Sequence, residues 1–182
     1  YWNIAPERDL LVTPTEMTKR GQQLKTDFRF MGSTYRGELR ADYMPHDNVY
    51  GTQRYGVSLQ HDQQILPNLR AIVDYNKVSD YRYFADLSSQ VRQVSTGVLP
   101  QQANLNYSGG FAGMPFYVNS MVQQFQTLQD PLAPITPPYN RLPQINFGTA
   151  KNDIAGRFDL ALPAEYVRFT NPSMVDGTRV QF

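Results

Sequence analysis

The sequence has no cysteine and no apolar stretch long enough to form a transmembrane helix, which takes at least about 18 residues. The lack of cysteine excludes thiolate catalysis and cysteine-ligated zinc from these 182 residues. The formal net charge is only +1, so no bulk basic field points to nucleic acid as a partner. Charged residues make up 18% of the chain, below the ~25% usual for soluble proteins.

Sequence motifs for common catalytic sites are also missing. There is no GxSxG, HExxH, Walker loop or GxGxxG pattern. His46 and His61 are isolated, with no carboxylate or second histidine at the spacing of metal ligands. We therefore interpret the chain as a protein that is not an enzyme and that holds no cofactor and no metal.

Tyrosine, phenylalanine and proline are plentiful: the chain has 12 tyrosines, 10 phenylalanines and 13 prolines. The prolines are spread along the sequence and leave little room for helices. Several extended segments reach ten residues or more, which is close to the ~9–11 that a tilted strand needs to cross a bilayer. The predicted strands are Leu10–Thr18, Gln22–Met31, Arg36–Met44, Arg54–Asp62, Leu69–Ser79, Val98–Tyr107, Phe116–Thr127, Leu142–Thr149 and Ile154–Phe169, with truncated strands at Tyr1–Ala5 and Thr178–Phe182.

The stretch KTDFRFMGSTYRGELRAD, from Lys25 to Asp42, predicts an antiparallel hairpin. Both arms alternate charged residues with apolar or small ones, the period that sends successive side chains to opposite faces of a strand. Folding the arms around Gly32–Tyr35 produces three cross-strand pairs of opposite charge, which is the favourable arrangement. The pairs are Arg29 with Glu38, Asp27 with Arg40, and Lys25 with Asp42, while Phe28 meets Leu39 and Leu24 meets Tyr43 on the other face.

The same alternation in other segments predicts an all-β, antiparallel transmembrane β-barrel, with about nine to eleven strands in this chain. In such a barrel the apolar rows face lipid and the polar rows face the lumen. The residues predicted to face lipid are Leu24, Phe28, Leu39, Tyr43, Val57, Leu59, Val73, Phe158 and Leu160. The residues predicted to face the lumen are Lys25, Asp27, Arg29, Glu38, Arg40, Asp42, Arg70, Asp74 and Asp159.

The linkers between predicted strands alternate in length, as in barrels with short periplasmic turns and long outer loops. The tight Lys19–Gly21 turn is the exception. Four residues of one long loop, Phe84, Leu87, Val91 and Val94, have helical spacing and predict a short helix on the rim. The short linkers are Ala5–Asp9, Gly32–Tyr35, Gln63–Asn68, Ser108–Pro115 and Ala150–Asp153, and the longer ones are Pro45–Gln53, Asp80–Gly97 and Gln129–Arg141.

Several longer motifs give the chain a family resemblance. They are YWNIAPERDLLVTPTEMTKRG, LRADYMPHD, VDYNKVSDYRYFADL, VLPQQANLNYSGG and QTLQDP followed by PYNRLPQ. Together they resemble the barrel domain of the LptD family, the lipopolysaccharide-assembly proteins of the outer membrane. The resemblance covers essentially all 182 residues, and it implies that they are a fragment of a large barrel. Residues 1–182 would be an N-terminal portion of that one barrel domain, with no second domain.

The resemblance implies a function in the outer membrane of a Gram-negative bacterium. A translocon of this family inserts lipopolysaccharide into the outer leaflet. Its cargo arrives over a periplasmic bridge of LptA-like proteins that meets a jelly-roll domain outside this stretch. An LptE-like lipoprotein plugs the lumen, and outer-membrane lipid surrounds the wall.

Two other classes of protein share part of this pattern. A general porin or a substrate-specific channel has the same alternation of faces. A soluble β-sandwich, such as a carbohydrate-binding module, would instead bury its apolar rows against a second sheet. Dependence on detergent separates the sandwich from both membrane proteins, because a soluble module stays monodisperse without it.

Overall fold

The computed structural model describes residues 1–87, 89, 91, 97–154 and 156–182. In this part of the chain there are eleven strands and one short helix. No helix among the described residues is long and apolar enough to span a membrane. The elements are β1 Trp2–Ala5, β2 Arg8–Met17, β3 Gly21–Met31, β4 Tyr35–Met44, β5 Arg54–Leu66, β6 Leu69–Val78, α1 Tyr83–Asp86, β7 Val98–Phe111, β8 Met114–Thr127, β9 Asn140–Ile154, β10 Phe158–Thr170 and β11 Gly177–Gln181.

The strands form one open antiparallel sheet in which each strand pairs with its neighbours in sequence, and β1 and β11 lie at the two edges. The strands from β2 to β10 contain between 10 and 15 residues. Each strand predicted from the alternation overlaps one of the observed strands. The prediction of an all-β antiparallel architecture of nine to eleven strands is confirmed.

The register of the β3–β4 hairpin is the one predicted. Lys25 lies opposite Asp42, Asp27 opposite Arg40, and Arg29 opposite Glu38. On the other face Phe28 lies opposite Leu39, and Leu24 lies opposite Tyr43. Alternating charge and hydrophobicity were therefore sufficient to specify the pairing of these two strands.

Short turns alternate with longer loops, as predicted, but the strands run further into the turns. The β7–β8 hairpin closes through only Ala112 and Gly113, and both have positive φ angles, 51° and 72°. Positive φ at both central residues is the requirement of the two-residue turn that matches strand twist.

The predicted turn at Ala150–Asp153 is wrong. Ala150 and Lys151 continue β9 and pair with Ala161 and Leu160. The chain reverses between Ile154 and Phe158. Asp153, just before this turn, and Gly156, within it, take positive φ angles of 56° and 69°. Asparagine, aspartate and glycine are the residues that adopt this conformation at least cost, so the polar composition indicated a turn nearby but not its position.

The buried apolar residues are gathered at the long-loop end of the sheet rather than at its centre. Met44, Val78, Leu99 and Leu128 lie at or just beyond strand ends and pack with residues of the β6–β7 loop. Elsewhere in the sheet, many large apolar side chains are exposed, among them Leu24, Leu105, Val122, Phe147 and Leu162. A single sheet without a second layer leaves such side chains uncovered.

The hairpin register leads to a prediction about Asp27 and Arg40. Arg40→Glu should destabilise the protein, because the new carboxylate faces Asp27 and stands beside Glu38. Asp27→Arg in the same chain should recover about 0.2–1 kcal/mol of that loss. The coupling is measured by a double-mutant cycle of urea unfolding in detergent micelles.

A second cycle serves as the control. It combines Arg40→Glu with Asp159→Arg. Asp159 is in β10, six strands away from Arg40 in β4. Sites so far apart should show no coupling beyond about 0.5 kcal/mol. Equal coupling in the two cycles would show that the Asp27–Arg40 contact does not contribute to the register.

Candidate functional site: the polar face of the sheet

The sheet places all nine residues that were predicted to line a lumen on one face, here called the polar face. Those of β3 and β4 are paired with one another. In β6, Asp74 and Arg70 lie opposite Gln60 and Gln64 of β5 on the same face. In β10, Asp159 and Glu165 are an even number of residues apart and therefore share one face. Glu165 lies opposite Asn146, which places both on the polar face. That the polar face lines a lumen remains a prediction.

The nine residues predicted to face lipid share the opposite face, here called the apolar face. Val57 and Leu59 of β5 lie opposite Ala41 and Leu39. Val73 follows in the middle of β6, opposite Ala103 of β7. The other members of this set are Leu24, Phe28 and Tyr43 in the hairpin and Phe158 and Leu160 in β10.

The ion pairs on the polar face are not all the cross-strand pairs predicted for the β3–β4 hairpin. Arg29 lies opposite Glu38 of β4 and also opposite Asp9 of β2, and it donates two hydrogen bonds to Asp9, at 2.9 and 2.6 Å. Arg40 lies 2.7 Å from Glu38 and 3.6 Å from Asp27. An arginine of this sheet can therefore pair with the opposite residue on either neighbouring strand, as Arg29 does, or with a residue of its own strand, as Arg40 does with Glu38.

A groove of about 480 Å³ lies along the polar face across β4, β5 and β6. Most of its lining side chains are charged or carry amides, among them Arg36, Glu38, Gln60, Asp62, Asp74 and Gln102. At one side of the groove, Arg70 holds Asp62 through two hydrogen bonds of 2.8 and 2.6 Å. Such a surface is suited to polar ligands that offer both donors and acceptors.

From β7 to β10, side-chain amides are prominent on the polar face. Gln123 donates to Gln102 at 2.8 Å, and Gln144 donates to Glu165 at 2.7 Å. A row of asparagines, Asn106, Asn119 and Asn146, crosses three neighbouring strands. Amides both donate and accept hydrogen bonds, which fits contact with sugar hydroxyls or with a polar protein surface.

At the long-loop end the β6–β7 loop folds back onto the polar face. Its described residues 79–87, 89 and 91 are called the cover. The predicted short helix is present as α1, Tyr83–Asp86. Of the residues whose spacing predicted the helix, only Phe84 lies within α1, and it packs at the margin of the apolar cluster. Leu87 and Val91 lie beyond the end of α1 and are buried in the cluster. Val94 lies outside the described residues.

The cover contacts the sheet at Gly56 and Asp42. A Cβ atom at Gly56 would lie 2.9 Å from the ring of Tyr83 and from Val91, so only glycine permits this approach. The Tyr83 hydroxyl and the Ser89 hydroxyl donate to one carboxylate oxygen of Asp42, at 3.1 and 2.5 Å. Burial raises the pKa of Tyr83, which keeps the hydroxyl protonated as a donor.

Sequence patterns did not single out Gly56 and Tyr83. They also missed the buried Asp47 and Arg54 and the partly exposed Asp80 at the base of the cover. A weak signal existed, since Gly56 and Arg54 both lie on the polar register of β5. Within the described part of the chain, no group of three or more histidine, aspartate or glutamate side chains is arranged to hold a metal ion.

Comparison with known proteins identifies the family. The family model of LPS transport system D, LptD, matches residues 52–182. Proteins named LPS-assembly protein LptD are 38% identical over 98% of this chain in Nitrosomonas eutropha, 41% over 94% in Azoarcus sp., and 40% over 100% in Paraburkholderia xenovorans. The chain spans 25%, 21% and 23% of the lengths of these relatives. From the extent of these matches, the chain belongs to the LptD family.

Proposed function

We propose that this chain forms part of the wall of an outer-membrane translocon that inserts lipopolysaccharide into the outer leaflet. The observation that carries the proposal is the two-faced sheet, in a chain whose relatives are named LPS-assembly proteins. Members of the family are outer-membrane β-barrel proteins of Gram-negative bacteria, so the predicted fold class and location are confirmed.

The two faces fit the two environments of such a wall. The apolar face offers exposed Leu24, Leu105, Val122 and Leu162 to the acyl chains of lipid. The polar face offers charges and amides to the lumen, where sugars of the cargo and an LptE-like lipoprotein plug would meet it. An LptA-like bridge, reached through a jelly-roll domain, would deliver the cargo from the periplasm.

A pair of neighbouring residues tests the route of the cargo. Asn106 lies on the polar face, and Tyr107 lies on the apolar face at the same height, near the short turns. A photoreactive amino acid at position 106 of the full-length protein should crosslink to lipopolysaccharide in cells. The same group at position 107 should meet inner-leaflet phospholipid instead and yield no such adduct.

The adduct is detected with an antibody to lipopolysaccharide after purification. Crosslinking at 107 but not at 106 would contradict the proposed route. A porin would give no lipopolysaccharide adduct at position 106, because its lumen carries small solutes.

The facing of the sheet predicts unequal costs for two substitutions in β6. Val73→Arg places a charge on the apolar face at the middle of the strand and should cost about 2–4 kcal/mol. Asp74→Asn, on the polar face, should cost far less, because water and polar groups reach it. Unfolding of the full-length protein in lipid vesicles measures both, and equal or reversed costs would show that the faces are assigned the wrong way round.

The alternation of turns and loops predicts a topology. Residues 80–97 and 129–141 should lie outside the cell, and residues 32–35 in the periplasm. Single cysteines at Leu132, which is 94% exposed, and at Ser33 are tested with a membrane-impermeant maleimide on intact cells. Labelling at position 132 and protection at position 33 is the expected result, and the opposite pattern would invert the topology.

A further inference from the structure

Arg54, the first residue of β5, is fully buried at the base of the cover. Its Nε and Nη2 atoms donate to the two carboxylate oxygens of Asp80, at 2.9 and 2.8 Å. Its Nη1 atom donates to Asp47 and to Asp86, each at 3.1 Å. The guanidinium thus has partners on all three nitrogens and uses four of its five N–H donors, which offsets the cost of burying its charge.

The partners of Arg54 come from two loops. The β2–β3 turn also contributes a residue that contacts two of these partners. Asp47 belongs to the β4–β5 loop, whereas Asp80 and Asp86 belong to the cover. Arg20, in the β2–β3 turn, donates to Asp47 at 2.6 Å and lies 3.5 Å from Asp86. With Arg82, which contacts Asp86 at 3.2 Å, three arginines balance three aspartates. We call these six residues the arginine–aspartate network.

Two tyrosine rings shield the centre of the network. The guanidinium carbon of Arg54 lies 4.5 Å from the centre of the Tyr50 ring and 5.7 Å from that of Tyr83. Contact between a cation and an aromatic face is strongest where water is excluded. Because Tyr83 also donates to Asp42, the network and the contact of the cover with β4 share one side chain.

Asp47 shows how firmly the network holds its charges. Burial alone would raise the pKa of its carboxyl group, but hydrogen bonds from the Val49 and Tyr50 backbone N–H groups and from Arg54 and Arg20 lower the pKa to about 2. A depressed carboxyl pKa means that this contribution to stability is present above the ordinary pKa and is lost only as the pH falls towards 2. Asp47 therefore stays charged across the physiological range.

Removing one member of a buried ion network leaves its partners charged and unpaired, which is costly. Without Arg54, the three aspartates would share only Arg20 and Arg82, and Asp80 would lose both of its hydrogen bonds from a guanidinium in a largely buried site. The cheapest relief is for the loops to separate, because each can then hydrate its own charges. The guanidinium of Arg54 thus holds the β4–β5 loop and the cover to the start of β5.

We propose that Arg54 is a latch that fastens the β2–β3 turn, the β4–β5 loop and the cover into one unit closed over the polar face. With the latch intact, the polar face beneath the cover is inaccessible to solutes. Without it, the cover lifts while the sheet remains paired. This role goes beyond the proposed passage of lipopolysaccharide and does not depend on it.

A cysteine beneath the cover tests the latch. Val78, at the end of β6, is 1% exposed and packs in the cluster with Tyr83, Leu87 and Val91. In Val78→Cys the new side chain is smaller than valine and fits the site. In purified full-length protein, a water-soluble maleimide should label it slowly, and Arg54→Met should raise the rate about ten-fold or more, because the cover then opens locally. The protein with no introduced cysteine gives the background.

Arg179→Met is the matched control. Arg179 also pairs with a carboxylate, that of Glu165, and lies 5.7 Å from an aromatic ring, that of Phe169. It is exposed, however, and holds no loop of the cover. Labelling at position 78 should be unchanged by this substitution. Equal rates with Arg54 and with Arg54→Met, or rapid labelling while Arg54 is present, would overturn the proposal.

Arg54→Lys keeps the test decisive if Arg54→Met does not assemble, which heat-modifiable migration on a gel detects. Lysine keeps the charge but cannot place two donors on the two oxygens of Asp80. Labelling at position 78 should rise by a smaller factor than expected for methionine. If the cysteine at position 78 were protected from the maleimide as completely as with arginine, a charge at position 54 would suffice. The two hydrogen bonds from the guanidinium to Asp80 would then not be what holds the cover.

Discussion

A slip of one residue between neighbouring strands would exchange the two faces of the sheet from that strand onward, so the whole structure depends on strand register. Three opposite-charge pairs and the Phe28–Leu39 contact specify this register in the β3–β4 hairpin. The pairing continues without a bulge through β4–β5. The β8–β9 and β9–β10 ladders do contain bulges, yet Asn146 still lies opposite Asn119 and Glu165, and the faces are preserved.

Short-range patterns predicted the sheet because its strands pair with their sequence neighbours. The residues that decide the β3–β4 register lie within one stretch of 18 residues, Lys25 to Asp42. The same patterns did not predict which carboxylate each arginine would bind. Arg29 stands between Glu38 on one side and Asp9 on the other, and its long side chain can reach either strand, so the choice depends on geometry that alternation does not encode.

Contacts between the cover and the sheet could not be predicted from periodicity. Tyr83 meets Asp42 across 41 positions, and Arg54 meets Asp80 across 26. Neither pair belongs to a repeating pattern, and the approach of Tyr83 depends on the missing side chain at Gly56. The cover was therefore predicted only as a short apolar helix, from the spacing of Leu87 and Val91, without the surface on which it packs.

The polar face differs between its two halves. From β3 to β6 it carries charges, many of them in ion pairs, and the cover closes over its long-loop end. From β7 to β10 amides such as Gln102, Gln123 and Asn146 are prominent. Paired surface charges present little net attraction. An amide that already makes one hydrogen bond still has a further donor or acceptor to offer. If sugars contact this wall, the amide half is the better surface for transient contact.

The combination of an apolar cluster and a buried ion network at the cover has a physical logic. Apolar contacts among Leu87, Val91 and Val78 are non-directional and hold the cover near the sheet without selecting one orientation. A buried ion network adds little net stability over apolar residues of the same size, because desolvation offsets its attraction. Its fork onto Asp80 nevertheless allows one geometry, since misplacing it leaves charges unpaired. The cluster draws the cover to the sheet, and the network fixes it in the closed position.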